Sequence, residues 1–167
     1  MFYDVIIKLI GAGIASVLYF LPFQLQYSNE ILTVEACLTA PITHDIESLI
    51  KKGFNLRIQY SFTIIINDKR SYYVNGVNTV RRGQNWLVND SIVPYENLQK
   101  NAGCSIAHFY RFKFDEGDKM MVFVNAHILP DEGFTLSTGF QPSILWSYYV
   151  PRLQEIFVFK NGAFTKQ

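Results

Sequence analysis

Three histidines, His44, His108 and His127, are the side chains of this sequence best suited to proton transfer or metal binding. A protein metal site usually takes about three or four converging ligands, so His108 and His127 would need a partner such as His44, Asp45 or Glu47. A histidine on a largely apolar strand is more often a hydrogen-bonded spacer. The sequence therefore offers His108 and His127 as candidate metal ligands, and it predicts no catalytic residue and no cofactor.

A β-hairpin is the element that would bring two of these histidines together. Residues 105–114 and 119–128 are rich in aromatic and β-branched side chains and flank a turn at Gly117, as in a hairpin. In that register His108 would lie opposite Asn125, with His127 as its diagonal neighbour on the same face. The prediction of a histidine metal site therefore depends entirely on this hairpin.

Two cysteines, Cys37 and Cys104, are the only candidates for sulfur chemistry. They form no C-x-x-C pair, which argues against redox catalysis and zinc-finger chemistry. In an oxidising compartment they could join in a disulfide. The alternative is that both are small hydrophobic residues of the core, because free cysteine is among the most buried residue types.

Aromatic residues and arginines in irregular or edge-like segments are the candidates for a binding surface. Tyrosine, tryptophan and arginine dominate the energetics of protein interfaces. The alternative is that the rings fill the ends of a β-sandwich, since aromatic side chains bury large areas in any β core. The candidate binding residues are Tyr72, Tyr73, Arg81, Arg82, Trp86, Tyr95, Trp146, Tyr148 and Tyr149, with Arg152 close by.

The hydrophobic pattern predicts the elements that would position these side chains. Residues 31–39 and, most clearly, 54–66 alternate between apolar and polar positions, as strands do. Residues 46–52 have helical spacing, with Thr43 as N-cap and Gly53 after the last turn. Further predicted strands are 71–80 with a bulge at Gly76, 86–88, the two hairpin strands and 155–160.

These elements define a mainly β fold. We count about seven strands and one short helix, which predicts a β-sandwich, either immunoglobulin-like or a partly open barrel. A hydrophobic helix at the N-terminus precedes it.

The N-terminal segment resembles an export signal. Residues 5–25 carry one charge, that of Lys8, and no small-residue cleavage site follows the apolar run. Residues 1–27 are therefore predicted to be a signal peptide or a retained signal anchor, with a buried core helix as the alternative. Residues 28–167 would form the exported domain, in the periplasm or another extracytoplasmic space and anchored to the inner membrane.

Composition excludes two classes of protein. The chain of 167 residues is 49% hydrophobic and 17% charged, far from the profile of a disordered protein. Its net charge of +1 gives no electrostatic footprint for nucleic acid. The 16% of aromatic residues is typical of half-buried strands.

The order of elements resembles a bacterial family of uncharacterised exported proteins, known only as a domain of unknown function. The resemblance is carried by a strand, the helix that ends at Gly53, the long strand from Phe54 and the pair Tyr72 and Tyr73, over roughly the middle of the chain. Leu87 and Tyr95 could fill the places of a Leu and a Tyr in that family. The resemblance implies an envelope location and a β-rich fold, and no activity.

Two functions follow from these observations. The first is a non-enzymatic envelope protein that binds another envelope protein or an apolar ligand through exposed aromatic loops. The second is a metal-dependent or hydrolytic enzyme that uses His108 and His127 with a distant acid.

Overall fold

Two antiparallel sheets form the protein, whose computed structural model describes residues 18–130 and 150–167. The small sheet has the strand order β1-β2-β7, and the large sheet has the order β10-β9-β8-β3-β4-β5-β6. The strands are β1 (Gln24–Ser28), β2 (Ile31–Cys37), β3 (Leu56–Ile66), β4 (Arg70–Arg82), β5 (Trp86–Val88), β6 (Ser91–Val93), β7 (Cys104–Tyr110), β8 (Lys119–Pro130), β9 (Arg152–Lys160) and β10 (Ala163–Lys166). The helices are α1 (His44–Lys51) and α2 (Leu98–Gly103), with a 3₁₀ turn at Tyr95–Asn97.

Strand β3 is the centre of the large sheet and confirms the clearest prediction from the sequence. It pairs with β4 on one side and β8 on the other. Every second side chain, from Leu56 to Ile66, is buried in a hydrophobic cluster to which both sheets contribute. Each such side chain contributes about 2 kcal/mol to folding. The alternation therefore fixes which face of the large sheet points inward.

Helix α1 also forms where the sequence predicts it. The Thr43 hydroxyl accepts a hydrogen bond from the Ile46 amide at 3.3 Å, which caps the first turn. Ile46 and Ile50 are fully buried, one turn apart on the same face. Gly53 follows with a φ of +98°, a conformation that suits glycine because it has no Cβ.

The predicted hairpin of residues 105–114 and 119–128 is wrong. Strand β7 pairs with β2 in the small sheet, whereas β8 pairs with β3 and β9 in the large sheet. Between them Arg111 adopts a φ of +64° and the chain crosses from one sheet to the other, burying Phe112 and Phe114 on the way. Alternation shows that a segment is a strand, but it does not identify the partner strand.

Two smaller predictions about strands also differ from the structure. Gly76 is not a bulge, since it lies opposite Tyr60 in an uninterrupted β3–β4 register. The described residues contain ten strands, more than the predicted seven. Among the additional ones, β6 follows β5 through a tight turn at Asn89 and Asp90, whose φ values are +50° and +63°. Such left-handed pairs are the usual connection of two-residue hairpins.

The predicted N-terminal helix covers residues 1–27, and its first 17 residues lie outside the described part of the chain. From Leu18 the chain is not helical: Phe20 bridges to Leu38, and Gln24–Ser28 is strand β1. Leu18, Phe20 and Phe23 are buried in the common core, so residues before Ser28 contribute to the β fold. None of the helices within the described ranges has the length and apolar character required to cross a bilayer.

Candidate functional site

The structure separates the two histidines proposed as metal ligands. His108 lies on β7 opposite Thr33, and its Nδ1 is 3.1 Å from the Thr33 hydroxyl. His127 lies on β8 opposite Gln59. They therefore belong to different sheets, which removes the register that would have made them neighbours. His44 begins helix α1, and its side chain is exposed.

Cys37 and Cys104 are joined in a disulfide between β2 and β7, where they lie directly opposite each other. Glu35 is the nearest acid, with its Oε1 3.7 Å from the Cys37 sulfur. Ligand atoms of these three residues lie within 4.8 Å of one another. Because both sulfurs are committed to the disulfide, they offer no thiolate to a metal.

The largest group of predicted binding residues that the structure brings together surrounds Trp86. It lines an open cavity of about 600 Å³ between the β5–β6 hairpin and helix α1. We call it the Trp86 surface, and its lining residues are Glu47, Lys51, Arg82, Asn85, Trp86, Ile92, Val93, Pro94 and Tyr95.

The centre of the Trp86 surface is apolar and partly exposed. Trp86 and Val93 are buried and lie opposite each other in the hairpin, while Ile92 is 69% and Tyr95 is 59% exposed. The rings of Trp86 and Tyr95 are 6.2 Å apart. The Arg82 guanidinium lies 5.3 Å from the centre of the Trp86 ring, within range of a cation–π interaction.

Hydrogen bonds and an ion pair fix the polar rim of the Trp86 surface. The Tyr95 hydroxyl donates to Glu47 Oε2 at 2.9 Å, and Lys51 Nζ lies 2.6 Å from Glu47 Oε1. The hydrogen bond from Lys51 lowers the pKa of Glu47, and the bond from Tyr95 lowers it further. In turn, the hydrogen bond to Glu47 raises the pKa of Tyr95. Glu47, Lys51 and Tyr95 therefore satisfy one another at this rim.

The remaining predicted binding residues lie elsewhere. Arg81 forms an ion pair with Asp90 at 2.7 Å and does not line the cavity. The ring of Tyr72 packs 4.5 Å from that of Phe112, and Tyr73 is 72% exposed on the opposite face of β4. Arg152 is exposed on β9. The predictions for Trp146, Tyr148 and Tyr149 lie outside the described residues.

Sequence reasoning missed Ile92 and the polar contacts that support this region. The sequence does not single out Ile92, because one isoleucine in a short segment after Asn89 and Asp90 belongs to no periodic pattern from which its exposure could be predicted. The buried Asn78 amide donates to the carbonyls of Ala102 and Cys104 at 2.9 and 2.8 Å. Asn78 Oδ1 accepts from Asn89 Nδ2 at 3.0 Å, which anchors the β5–β6 hairpin to β4. An asparagine at an inward strand position is the one signal that could have indicated this network.

No protein-family model matches the chain, and neither a curated protein nor a solved structure is significantly similar to it. The resemblance to an uncharacterised family of exported proteins therefore stays a prediction, and the site has to be interpreted from its own geometry.

Proposed function

We propose that this chain is a non-enzymatic cell-envelope protein whose β-sandwich binds a protein partner through the Trp86 surface. The observation that carries the proposal is the exposure of Ile92 and Tyr95 beside the buried Trp86, with Arg82 on the ring. An apolar centre within a polar rim is the usual anatomy of a protein interface. Tyrosine, tryptophan and arginine are also the residues that contribute most to binding energy.

The shape of the cavity favours a protein partner over a small apolar ligand. A small ligand is usually enclosed on most sides, whereas this cavity opens broadly to solvent between a hairpin and a helix. A protruding apolar side chain could fill it against Trp86 and Val93. The ion pair of Lys51 and Glu47 would remain at the rim of the interface, so the partner would not have to bury it.

The envelope location is supported by two features. Residues 5–17 are apolar apart from Lys8, as in an export signal. The disulfide between Cys37 and Cys104 is of a kind that persists in oxidising compartments and is rare in the cytosol. Alkylation of free thiols in intact cells, followed by mass measurement, tests this location. Two unblocked thiols in the freshly made, folded protein would contradict it.

Photo-crosslinking from the Trp86 surface tests the proposed binding. A photoreactive phenylalanine analogue is placed at Ile92 in the full chain, expressed in its own cells, and at Ile106 as a matched control. Ile106 is also an exposed isoleucine on a strand, but it lies on β7 in the other sheet. We expect a discrete covalent adduct from position 92 and none from position 106.

A second variant checks that the adduct reports this surface. With the photoreactive group at Tyr95, the substitution Ile92→Asp should abolish the adduct, because it places a charge in the apolar centre. Since Ile92 is mostly exposed, the thermal unfolding midpoint should hardly change. Adducts of equal yield from positions 92 and 106, or none from 92, would contradict the proposal.

A further inference from the structure

A second cavity lies at the end of the domain farthest from helix α1, and it is lined by basic side chains. It has a volume of about 430 Å³ and lies between the β3–β4 turn and the segment that follows β7. Lys69 and Arg70 line it from the turn, and Arg111 and Lys113 line it from the segment after β7. Together with the rings of Tyr72 and Tyr110, these residues define what we call the basic cleft.

Two acidic residues, Asp115 and Asp118, also line the cleft. Asp118 accepts a hydrogen bond from the Asn67 side-chain amide at 2.8 Å and another from the Asp115 backbone amide at 2.8 Å. These bonds use both oxygens of its carboxylate. These amides orient the Asp118 carboxylate but leave its negative charge in place, so within the described ranges two carboxylates, Asp115 and Asp118, line the cleft.

Three of the four cations have no acidic partner within the described part of the chain. Lys113 lies 3.3 Å from Glu30, in an exposed pair that contributes little. No carboxylate among the described residues lies within ion-pair distance of Lys69, Arg70 or Arg111. Four cations therefore face the two carboxylates of Asp115 and Asp118 across the cleft, a local excess of positive charge in a protein whose net charge is only +1.

The backbone that carries these cations has a fixed conformation on both walls of the cleft. Asn67 and Asp68 adopt φ values of +50° and +56°, which form a tight turn directly before Lys69 and Arg70. Arg111 has a φ of +64°, which costs a non-glycine residue about 1 kcal/mol. The next residue fixes this conformation, because the Phe112 amide donates to the Glu30 carbonyl at 2.9 Å and its side chain is buried.

We propose that the basic cleft binds a small phosphorylated anion that carries more than one negative charge. Two guanidinium groups approach from opposite walls, and each can bind phosphate oxygens in a bidentate manner. The four cations that line the cleft exceed its two carboxylates by two, which favours a ligand with more than one negative charge. A volume of about 430 Å³ lies within the usual range of small-molecule sites.

The position of the cleft favours a free anion over the headgroups of a membrane that holds the N-terminus. Residues 1–17 join the domain at Leu18, and Phe20 pairs with Leu38, beyond the end of β2 that carries the disulfide. The cleft lies at the opposite end of β2, where Ile31 pairs with Tyr110. A membrane held by residues 1–17, as the sequence predicts, would lie at the disulfide end, and a concave site at the opposite end is suited to a soluble ligand.

Isothermal titration of the full chain with inorganic pyrophosphate tests the proposal. The buffer should have low ionic strength and contain no phosphate, because exposed charges are screened at high salt. We expect saturable binding at a ratio of one to one, weakened as sodium chloride is raised. Amide chemical shifts should change at residues 67–72 and 110–113, and the indole signal of Trp86 should not move.

Two charge-removing variants and one control make the test specific. Arg111→Asn suits the positive φ at this position and removes the charge, and Arg70→Gln removes the charge on the other wall. Each should weaken pyrophosphate binding about tenfold or more, because hydrogen bonds to charged groups are lost. Lys52→Gln removes one exposed charge at the far end, beside helix α1, and should leave the affinity unchanged.

Three outcomes would overturn the proposal. The first is the absence of saturable pyrophosphate binding by the folded chain at low ionic strength. The second is equal weakening by Lys52→Gln and Arg111→Asn, which would indicate a general charge effect. The third is binding of vesicles made with phosphatidylglycerol in the absence of saturable pyrophosphate binding, which would assign the cleft to a lipid surface. All three can occur whether or not the Trp86 surface binds a protein.

Discussion

The two ends of this β domain use their polar groups in opposite ways. At the end that carries α1, α2 and the disulfide, which we call the helix end, several charged and polar groups are paired with one another. Glu47 binds both Lys51 and Tyr95, and Asn78 binds the carbonyls of Ala102 and Cys104. The helix end is therefore cross-linked internally, and what it offers to a partner is apolar.

At the other end, which carries the β3–β4 turn and residues 111–118 and which we call the turn end, Lys69, Arg70 and Arg111 have no ion-pair partner in the part of the chain that the structure describes. They line the basic cleft, where four cations outnumber the two carboxylates of Asp115 and Asp118. The comparison teaches that paired charges leave a surface whose recognition depends on apolar contact. An excess of charges of one sign leaves a surface that recognises an opposite charge.

Removal of the disulfide should have the largest effect on this comparison. It closes a loop of 67 residues, so the double variant Cys37→Ala with Cys104→Ala should lose about 4 kcal/mol of unfolding free energy. The Leu38 amide, which donates to the Gly103 carbonyl, should exchange its hydrogen much faster, and the Lys69 amide at the turn end should change less. Uniform acceleration at both ends would mean that the helix end is not pinned separately. The measurements are urea unfolding and hydrogen exchange.

A methyl group added at Gly103 should be the next most disruptive change. A Cβ there would fall 2.8 Å from the Leu38 carbonyl oxygen and 3.0 Å from Pro41, so backbone would have to move. We expect Gly103→Ala to cost about 2 kcal/mol. Gly83→Ala is the matched control, because a Cβ at Gly83 meets nothing within 4 Å. Equal melting temperatures for the two variants would show that the helix end tolerates expansion.

The hydroxyl of Tyr60 should contribute less, and its contribution should depend on pH. It donates to the Gly103 carbonyl at 2.6 Å from a fully buried position, and Tyr60→Phe should cost about 1 kcal/mol at pH 7. Burial raises the pKa of Tyr60, so the folded protein holds the phenol protonated. This contribution is complete below the ordinary tyrosine pKa and is lost as the pH rises towards the raised value.

Urea unfolding above about pH 10 tests that dependence, since the unfolded tyrosine begins to ionise there. The stability of the original chain should fall more steeply with pH than that of Tyr60→Phe, so the difference between them should shrink. A constant difference from pH 7 to pH 11 would contradict the assignment.

The smallest expected effect is on the titration of Glu47. Its carboxyl pKa should lie below the ordinary value, and Lys51→Met should raise it more than Tyr95→Phe does, since the Lys51 hydrogen bond is the larger cause. Carbon-detected NMR of the Glu47 carboxyl measures both shifts. Because the folded pKa is lowered, the associated stability is present above the ordinary glutamate pKa and is lost as the pH falls through the folded value. An unshifted Glu47 would weaken the contrast between the two ends.

Local elements were largely predictable because their causes are local. The alternation around Tyr60 defined β3, Thr43 and Gly53 marked the limits of α1, and residues 86–88 formed the short strand expected of them. For the candidate site, Arg82, Trp86 and Tyr95 were identified by residue type alone. Their assembly with Glu47 and Ile92 was not, because it depends on where β5 and α1 meet.

The main error of the sequence-based prediction was the choice of strand partners. The predicted closeness of His108 and His127 depended on that choice. The pattern around His108 fits pairing with β8 as well as it fits pairing with β2, and the actual choice places His127 in another sheet. The positive φ of Arg111, at which the chain changes sheet, is carried by a residue type that gives no warning of it. The apolar N-terminal run was interpreted as a signal or anchor, but two of its residues, Phe20 and Phe23, belong to the core of the β domain.

By itself, the sequence determined seven of the ten described strands, where α1 begins and ends, and which faces are apolar, because these depend on side chains near one another in the chain. Only the tertiary structure decided that Cys37 lies opposite Cys104, that Ile92 stays exposed beside Trp86, and that Arg70 and Arg111 share a cleft. These juxtapositions join residues far apart in sequence. They are selected by the packing of the whole core, which no local pattern records.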